Sequence, residues 1–119
     1  ALKFKETCAQ HAECFSAAEV RHGPMAIVDD AFHVLAFASS DRAGESVRET
    51  AAEFRNRGAE VLLADPAAPE GGLPALAAHP AIEPILIVQT FYKMANALSL
   101  ARGCNPDSPP HLNKVTETL

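Results

Sequence analysis

Val34-Leu35-Ala36-Phe37-Ala38 is an unbroken apolar run that gives way at once to Ser39-Ser40-Asp41. A short continuous run of this kind predicts a parallel strand covered on both faces, because an antiparallel strand with one wet face would alternate. Ser40 or Asp41 can cap the helix that follows, in which Val47, Ala51 and Phe54 form the buried stripe and Gly58 supplies the stop after Arg57. Glu60 to Ala64 reads as a second strand. Strand, helix and strand in succession predict an α/β layer with a mainly parallel sheet.

Beyond the second strand, Asp65-Pro66 is a break, and a Pro/Gly/Ala-rich stretch through Gly71-Gly72 leads to Leu73–Ala77, a candidate third strand. Gly71-Gly72 reads as a flexible turn, since no strand precedes it and no helix follows to make a phosphate loop. Ser39 to Gly44 is better placed to hold an anion on free helix amides, but its acid at Asp41 weakens that reading, and capping is preferred. Pro84 suits a helix first turn and opens a long segment to Arg102, halted by Gly103. Its apolar residues, Ile85, Leu86, Val88, Phe91, Tyr92, Ala95, Leu98 and Leu100, lie around much of the circumference. Cover by sheet on one side and by another half or subunit on the other is therefore expected.

The 119 residues and 48% hydrophobic content fit one small domain spanning 1–119. A start at alanine inside a helical pattern suggests part of a longer protein. No basic-then-apolar leader or bilayer-length run is visible, so a soluble, cytoplasmic protein away from membranes is expected. A net charge of −5 without a basic run removes the footprint of a nucleic-acid binder. Cys8, Cys14 and Cys104 are odd in number and lack a C-x-x-C pair, which points to a reducing compartment and against a disulfide framework. Cys8 and His11 share a helical spacing, but no second ligand pair follows, so no metal site is expected.

Ala1 to Glu6 opens a helix in which Phe4, Cys8, Ala12 and Phe15 make one apolar stripe. Lys3 and Glu6, three apart, lie on one face within reach of each other or of one bound molecule; a solvated ion pair is the plainer alternative. In Glu19-Val20-Arg21-His22-Gly23-Pro24-Met25-Ala26, proline restricts the residue before it and glycine tolerates unusual conformations, so the chain must turn sharply after His22. A histidine on such a corner could serve as acid or base, or simply cap a backbone group. The chain closes with a proline-stiffened arm, 104–119, that carries Lys114.

Ala-Leu-Lys-x-Lys-Glu at the start, His-Ala-Glu at 11–13, Glu-x-Arg-His-Gly-Pro-x-Ala, and a Pro-x-x-Leu-x-Lys tail occur here in an order that resembles the C-terminal half of the sugar-isomerase (SIS) family. The branch is that of isomerising glucosamine-6-phosphate synthase and the related aminosugar-phosphate deaminases. The resemblance implies a three-layer α-β-α sandwich of flavodoxin/Rossmann-like type, formed as the second half of a two-SIS protein. Its implied partners are a phosphosugar substrate, an N-terminal SIS half and a second copy in a homodimer.

The same resemblance implies four catalytic residues: Glu6 moves a proton between sugar C1 and C2, Lys3 stabilises charge developing on oxygen, His22 assists ring opening, and Lys114 forms a Schiff base with the open-chain ketose. In the family His22 reaches the neighbouring subunit's site, and Schiff-base chemistry needs Lys114 as the neutral amine. Arg21, Leu112 and Asn113 are implied as substrate-binding residues. No metal or organic cofactor is implied. The synthase's Ser-x-Ser-Gly-x-Thr phosphate loop is absent, so little activity is expected of these residues alone. The tail Lys114-Val115-Thr116-Glu117-Thr118-Leu119 departs from the synthase ending Lys-Ser-Val-Thr-Val-Glu, and so keeps a deaminase open beside a glutamine-dependent synthase. A phosphosugar-binding module of a regulator is the alternative from another class.

Overall fold

The computed structural model describes residues 1–68 and 72–112. They fall into two compact units, one made of Ala1–Cys14 with the segment from Phe91 onward, the other of Phe15–Thr90.

The second unit holds the strand–helix–strand module. Strand β1 (His33–Phe37) pairs in parallel with β2 (Glu60–Ala64), from His33 opposite Glu60 to Phe37 opposite Ala64. Helix α2 (Arg42–Asn56) joins them. Asp41, not Ser40, is its cap, accepting from the amides of Ala43 and Gly44. The Ser39 hydroxyl, first, and those amides hold the Asp41 carboxyl below the ordinary aspartate range. Arg57 and Gly58 close the helix, with Gly58 at φ 91°. Phe54 of α2 packs with Val28 and Ala59, and Val20, Met25, Val34 and Val61 complete this core. β1 is half-buried along its centre and Leu62 of β2 is 47% exposed, so among the described residues the expected full cover of both sheet faces is not present.

The candidate third strand is also not formed. Leu73 makes one parallel bridge to Ala64, its amide donating to Leu63 O at 2.9 Å. Pro74 follows immediately and has no amide with which to extend a ladder. Gly72 lies so close to β2 that a side chain there would meet Leu63 O.

Helix α3 (Glu83–Ala101) contributes its opening turns to the second unit and the remainder to the first. Pro84 stands in its first turn and Gly103, at φ 71°, lies just past its end, as the sequence predicts. Ile85, Val88, Tyr92 and Leu100 are exposed within this chain.

Glu83 anchors the start of α3. Its fully buried carboxylate accepts from the Ser40 amide at 2.7 Å, the Ser40 hydroxyl at 2.9 Å and the Ala78 amide at 3.3 Å. The Ser40 amide, foremost, outweighs burial and holds the carboxyl below the ordinary glutamate range. Stability from this group is therefore complete above that range and lost as pH falls through and below it. Glu83→Gln turns one acceptor into a donor facing donors. Its expected result is a Tm several degrees lower at neutral pH, with a smaller loss on acidification than the parent shows. Thermal melts across the acid range check both.

In the first unit, α1 (Leu2–Cys8) buries Phe4 and Cys8. Phe4 meets Phe91 edge-on, with ring centroids 5.1 Å apart. The predicted stripe through Ala12 and Phe15 is cut short. Ala9 takes a left-handed conformation at φ 49°, and the Gln10 amide turns back to Phe4 O at 3.1 Å. The freed carbonyls of α1 are taken up by α3 and the residue after it: Ser99 donates to Thr7 O at 2.6 Å, and Arg102 Nε to Cys8 O at 2.7 Å. Cys8 and His11 thus do not share a helix face, and the Cys8 thiol donates to Ala95 O.

Candidate active site

Lys3 and Glu6 stand one turn apart on α1, and Lys3 Nζ donates to Glu6 Oε2 at 2.6 Å. The hydrogen bond to Glu6, then its charge, raises the lysine above its ordinary pKa. Lys3 is consequently an ammonium at neutral pH. It can offer positive charge to an oxygen, but it is not an amine nucleophile.

Glu6 forms one wall of a cavity of about 670 Å³, a size within the range that holds small organic ligands. Thr7 and Lys5 of α1 flank it, and the opposite wall is supplied by Cys104, Asn105, His111 and Leu112. The tail reaches that wall by turning. The Asp107 amide donates to Asn105 Oδ1 and the Ser108 amide to Asn105 O, and the Leu112 amide returns to Pro109 O. His111 adopts φ 65°, in the left-handed region that non-glycine residues seldom occupy. A carboxylate, a hydroxyl, a carboxamide and an imidazole beside an apolar leucine suit a polyhydroxylated ligand, which offers hydroxyls to the polar groups and C–H edges to the leucine.

Of the predicted site residues, this unit brings together Lys3, Glu6 and Leu112. Arg21 and His22 belong to the other unit, in the short helical turn Glu19–His22. Gly23 follows at φ 145°, and a second short turn runs Pro24–Ile27, so the corner predicted from Gly-Pro is present. His22 is exposed on it. Asn113 and Lys114 lie outside the described residues. Among the described residues no group of histidine, cysteine and acidic side chains is arranged to hold a metal, and no helix is long and apolar enough to cross a membrane.

Thr7, Cys104, Asn105 and His111 were not singled out by sequence reasoning. Asn105-Pro106-Asp107 carries a turn signal that predicts a bend, but the wall to which that bend returns is about a hundred positions away, and no local pattern encodes it.

A parallel strand–helix–strand module is that of an α/β domain, and its matches among solved structures are sugar-isomerase-type domains. The chain aligns over 90% of its length, at 38% identity and a TM-score of 0.76, with 33% of a candidate phosphosugar isomerase from Silicibacter pomeroyi DSS-3. It aligns over 91% of its length, at 25% identity and a TM-score of 0.80, with 32% of the C-terminal domain of glucosamine-fructose-6-phosphate aminotransferase from Francisella tularensis.

A scan of protein-family profiles finds no match. Among curated relatives, a glutamine–fructose-6-phosphate aminotransferase (isomerizing) from Aeropyrum pernix is 36% identical across 97% of this chain and 20% of its own length. The protein of that name from Sphingobium yanoikuyae is 32% identical across 96% of this chain and 78% of its own length. The chain belongs to the glutamine–fructose-6-phosphate aminotransferase (isomerizing) family, as a sugar-isomerase-type domain. It spans about a fifth of the length of most of the curated relatives it matches.

Proposed function

We propose that this chain is the catalytic sugar-isomerase half of an enzyme that interconverts a ketose 6-phosphate and an aminosugar 6-phosphate, by aldose–ketose isomerisation joined to amination or deamination. The observation that carries this reading is Glu6, paired at 2.6 Å with a lysine held as ammonium and lining a cavity together with Cys104, Asn105, His111 and Leu112.

The chemistry needs a base at the C1–C2 edge of an open-chain sugar. Glu6 removes the proton from one carbon and returns it to the other. As it does so, negative charge builds on the neighbouring oxygen, and Lys3 supplies the compensating positive charge. Lys114, two positions beyond Leu112 in the sequence, is the amine that condenses with the ketose carbonyl and releases water. Lys3 cannot fill that role while Glu6 keeps it protonated. His22 transfers the proton that opens the ring, within an assembly of an N-terminal SIS half and a second copy, in the cytoplasm. Leu112 and Asn113 contact the substrate, and Arg21, whose guanidinium is turned to Thr50 and Glu53, serves the site by carrying His22. The arrangement 1–119 then acts as one functional domain.

Borohydride reduction of the full-length enzyme in the presence of fructose 6-phosphate tests the assignment. The expected result is a covalent hexitol phosphate on the peptide containing Lys114. Label confined to other lysines removes the Schiff-base role.

A further inference from the structure

We propose that Thr50 and Glu53 of α2 are positioning residues for His22, acting through Arg21; the proposal rests on the reading of His22 as a proton-transfer group. The corner that presents His22 is fastened on both sides, by α2 and by its C-cap residue Arg57. On the near side, Arg21 Nη2 donates to Thr50 Oγ1 at 3.1 Å, and Arg21 Nη1 pairs with Glu53 Oε2 at 3.4 Å. On the far side, Arg57 Nη1 donates to Met25 O at 3.0 Å while its Nη2 donates to Glu53 Oε1 at 2.6 Å. Glu53 thus bridges two guanidiniums, one fixing the residue before His22 and the other fixing the turn after it.

Thr50 is 5% exposed, and its hydroxyl proton is already committed to Ser46 O at 2.9 Å, so its oxygen is oriented to accept from Arg21. Thr50 and Glu53 stand one turn apart on α2, and Arg57 is its C-cap. Beneath them, Val20 and Met25 pack on the Val28–Phe54–Ala59 core, so the corner cannot slide without disturbing buried contacts. Between the two fastenings lies Gly23, at φ 145° with open space around the position of a side chain, a conformation that favours glycine. A proton donor on a corner with one permissive hinge depends on its flanks for aim. A displacement of about an ångström at such a group costs on the order of a hundredfold in rate.

The test is a double-mutant cycle in the full-length enzyme, measuring kcat and KM for fructose 6-phosphate. Thr50→Val removes the acceptor of Arg21, and Glu53→Gln removes the carboxylate charge that Arg21 and Arg57 share, both with side-chain volume nearly kept. The expected result is a fall in kcat of about 10- to 100-fold for each with KM little changed, and no further fall when either is added to His22→Asn. Losses that multiply in the His22→Asn background, or clamp variants with parental kcat, overturn the positioning role while leaving His22 in the mechanism. Parental activity in His22→Asn alone overturns the role assigned to His22 and the clamp together. Chemical denaturation of each single variant, with a midpoint equal to the parent's, separates loss of aim from loss of fold.

Discussion

Glu6→Gln in the full-length enzyme is expected to lower the rate of ammonia release from glucosamine 6-phosphate by about 10² to 10⁴-fold, the usual contribution of a positioned acid–base group. Glutamine has the same shape and still accepts a hydrogen bond from Lys3, so the cavity wall is preserved and KM should move little. The amide cannot take a proton from carbon. A loss in kcat without a loss in KM is the pattern of an interaction used in the transition state. The substitution also removes the carboxylate that raises Lys3, whose pKa should return toward the ordinary lysine value. Equal rates in parent and variant would take Glu6 out of the mechanism.

Gly44→Ala is expected to be the most damaging small substitution in the fold, costing about 3 kcal/mol or more. Gly44 is buried in the first turn of α2, and a methyl group there would collide with the carbonyl of Ser39. Arg48 makes that carbonyl hard to move. It donates to Ser39 O at 3.0 Å and pairs at 3.3 Å with Asp65, whose carboxylate is fully buried after β2. The Asp65 carboxylate also accepts from the Ala67 amide, so the loops after both strands are tied to one arginine. Urea denaturation should show a lower midpoint for Gly44→Ala. An unchanged midpoint would mean that this turn relaxes freely and that the close approach has no energetic weight.

The strand–helix–strand core was legible because each signal is local: an apolar run, an acid at the cap, a glycine at the stop. The same holds for the corner at Gly23-Pro24 and for the limits of α3. Where the reading of α1 overran, the local pattern was intact but long-range bonds won. Ser99 and Arg102 capture the α1 carbonyls near the point where Ala9 turns left-handed, and alanine carries no signal for such a turn. Leu73–Ala77 failed as a strand for a reason the sequence does contain, Pro74, which apolar content outweighed in the reading. At the site, Lys3 and Glu6 were visible because one helical turn places them together. The opposite wall at Cys104, Asn105 and His111 was invisible, because its position follows from where the tail bends back.

In the proposed reaction Glu6 faces the reacting carbons of a linear sugar phosphate. The direct measurement is a crystal structure of the full-length enzyme with glucitol 6-phosphate, an open-chain analogue that cannot react. The expected result is the C1–C2 edge within hydrogen-bonding reach of Glu6, with the chain of hydroxyls lying along the cavity toward His111 and Leu112. An analogue bound elsewhere, with Glu6 still held by Lys3 alone and the cavity filled by water, would contradict it.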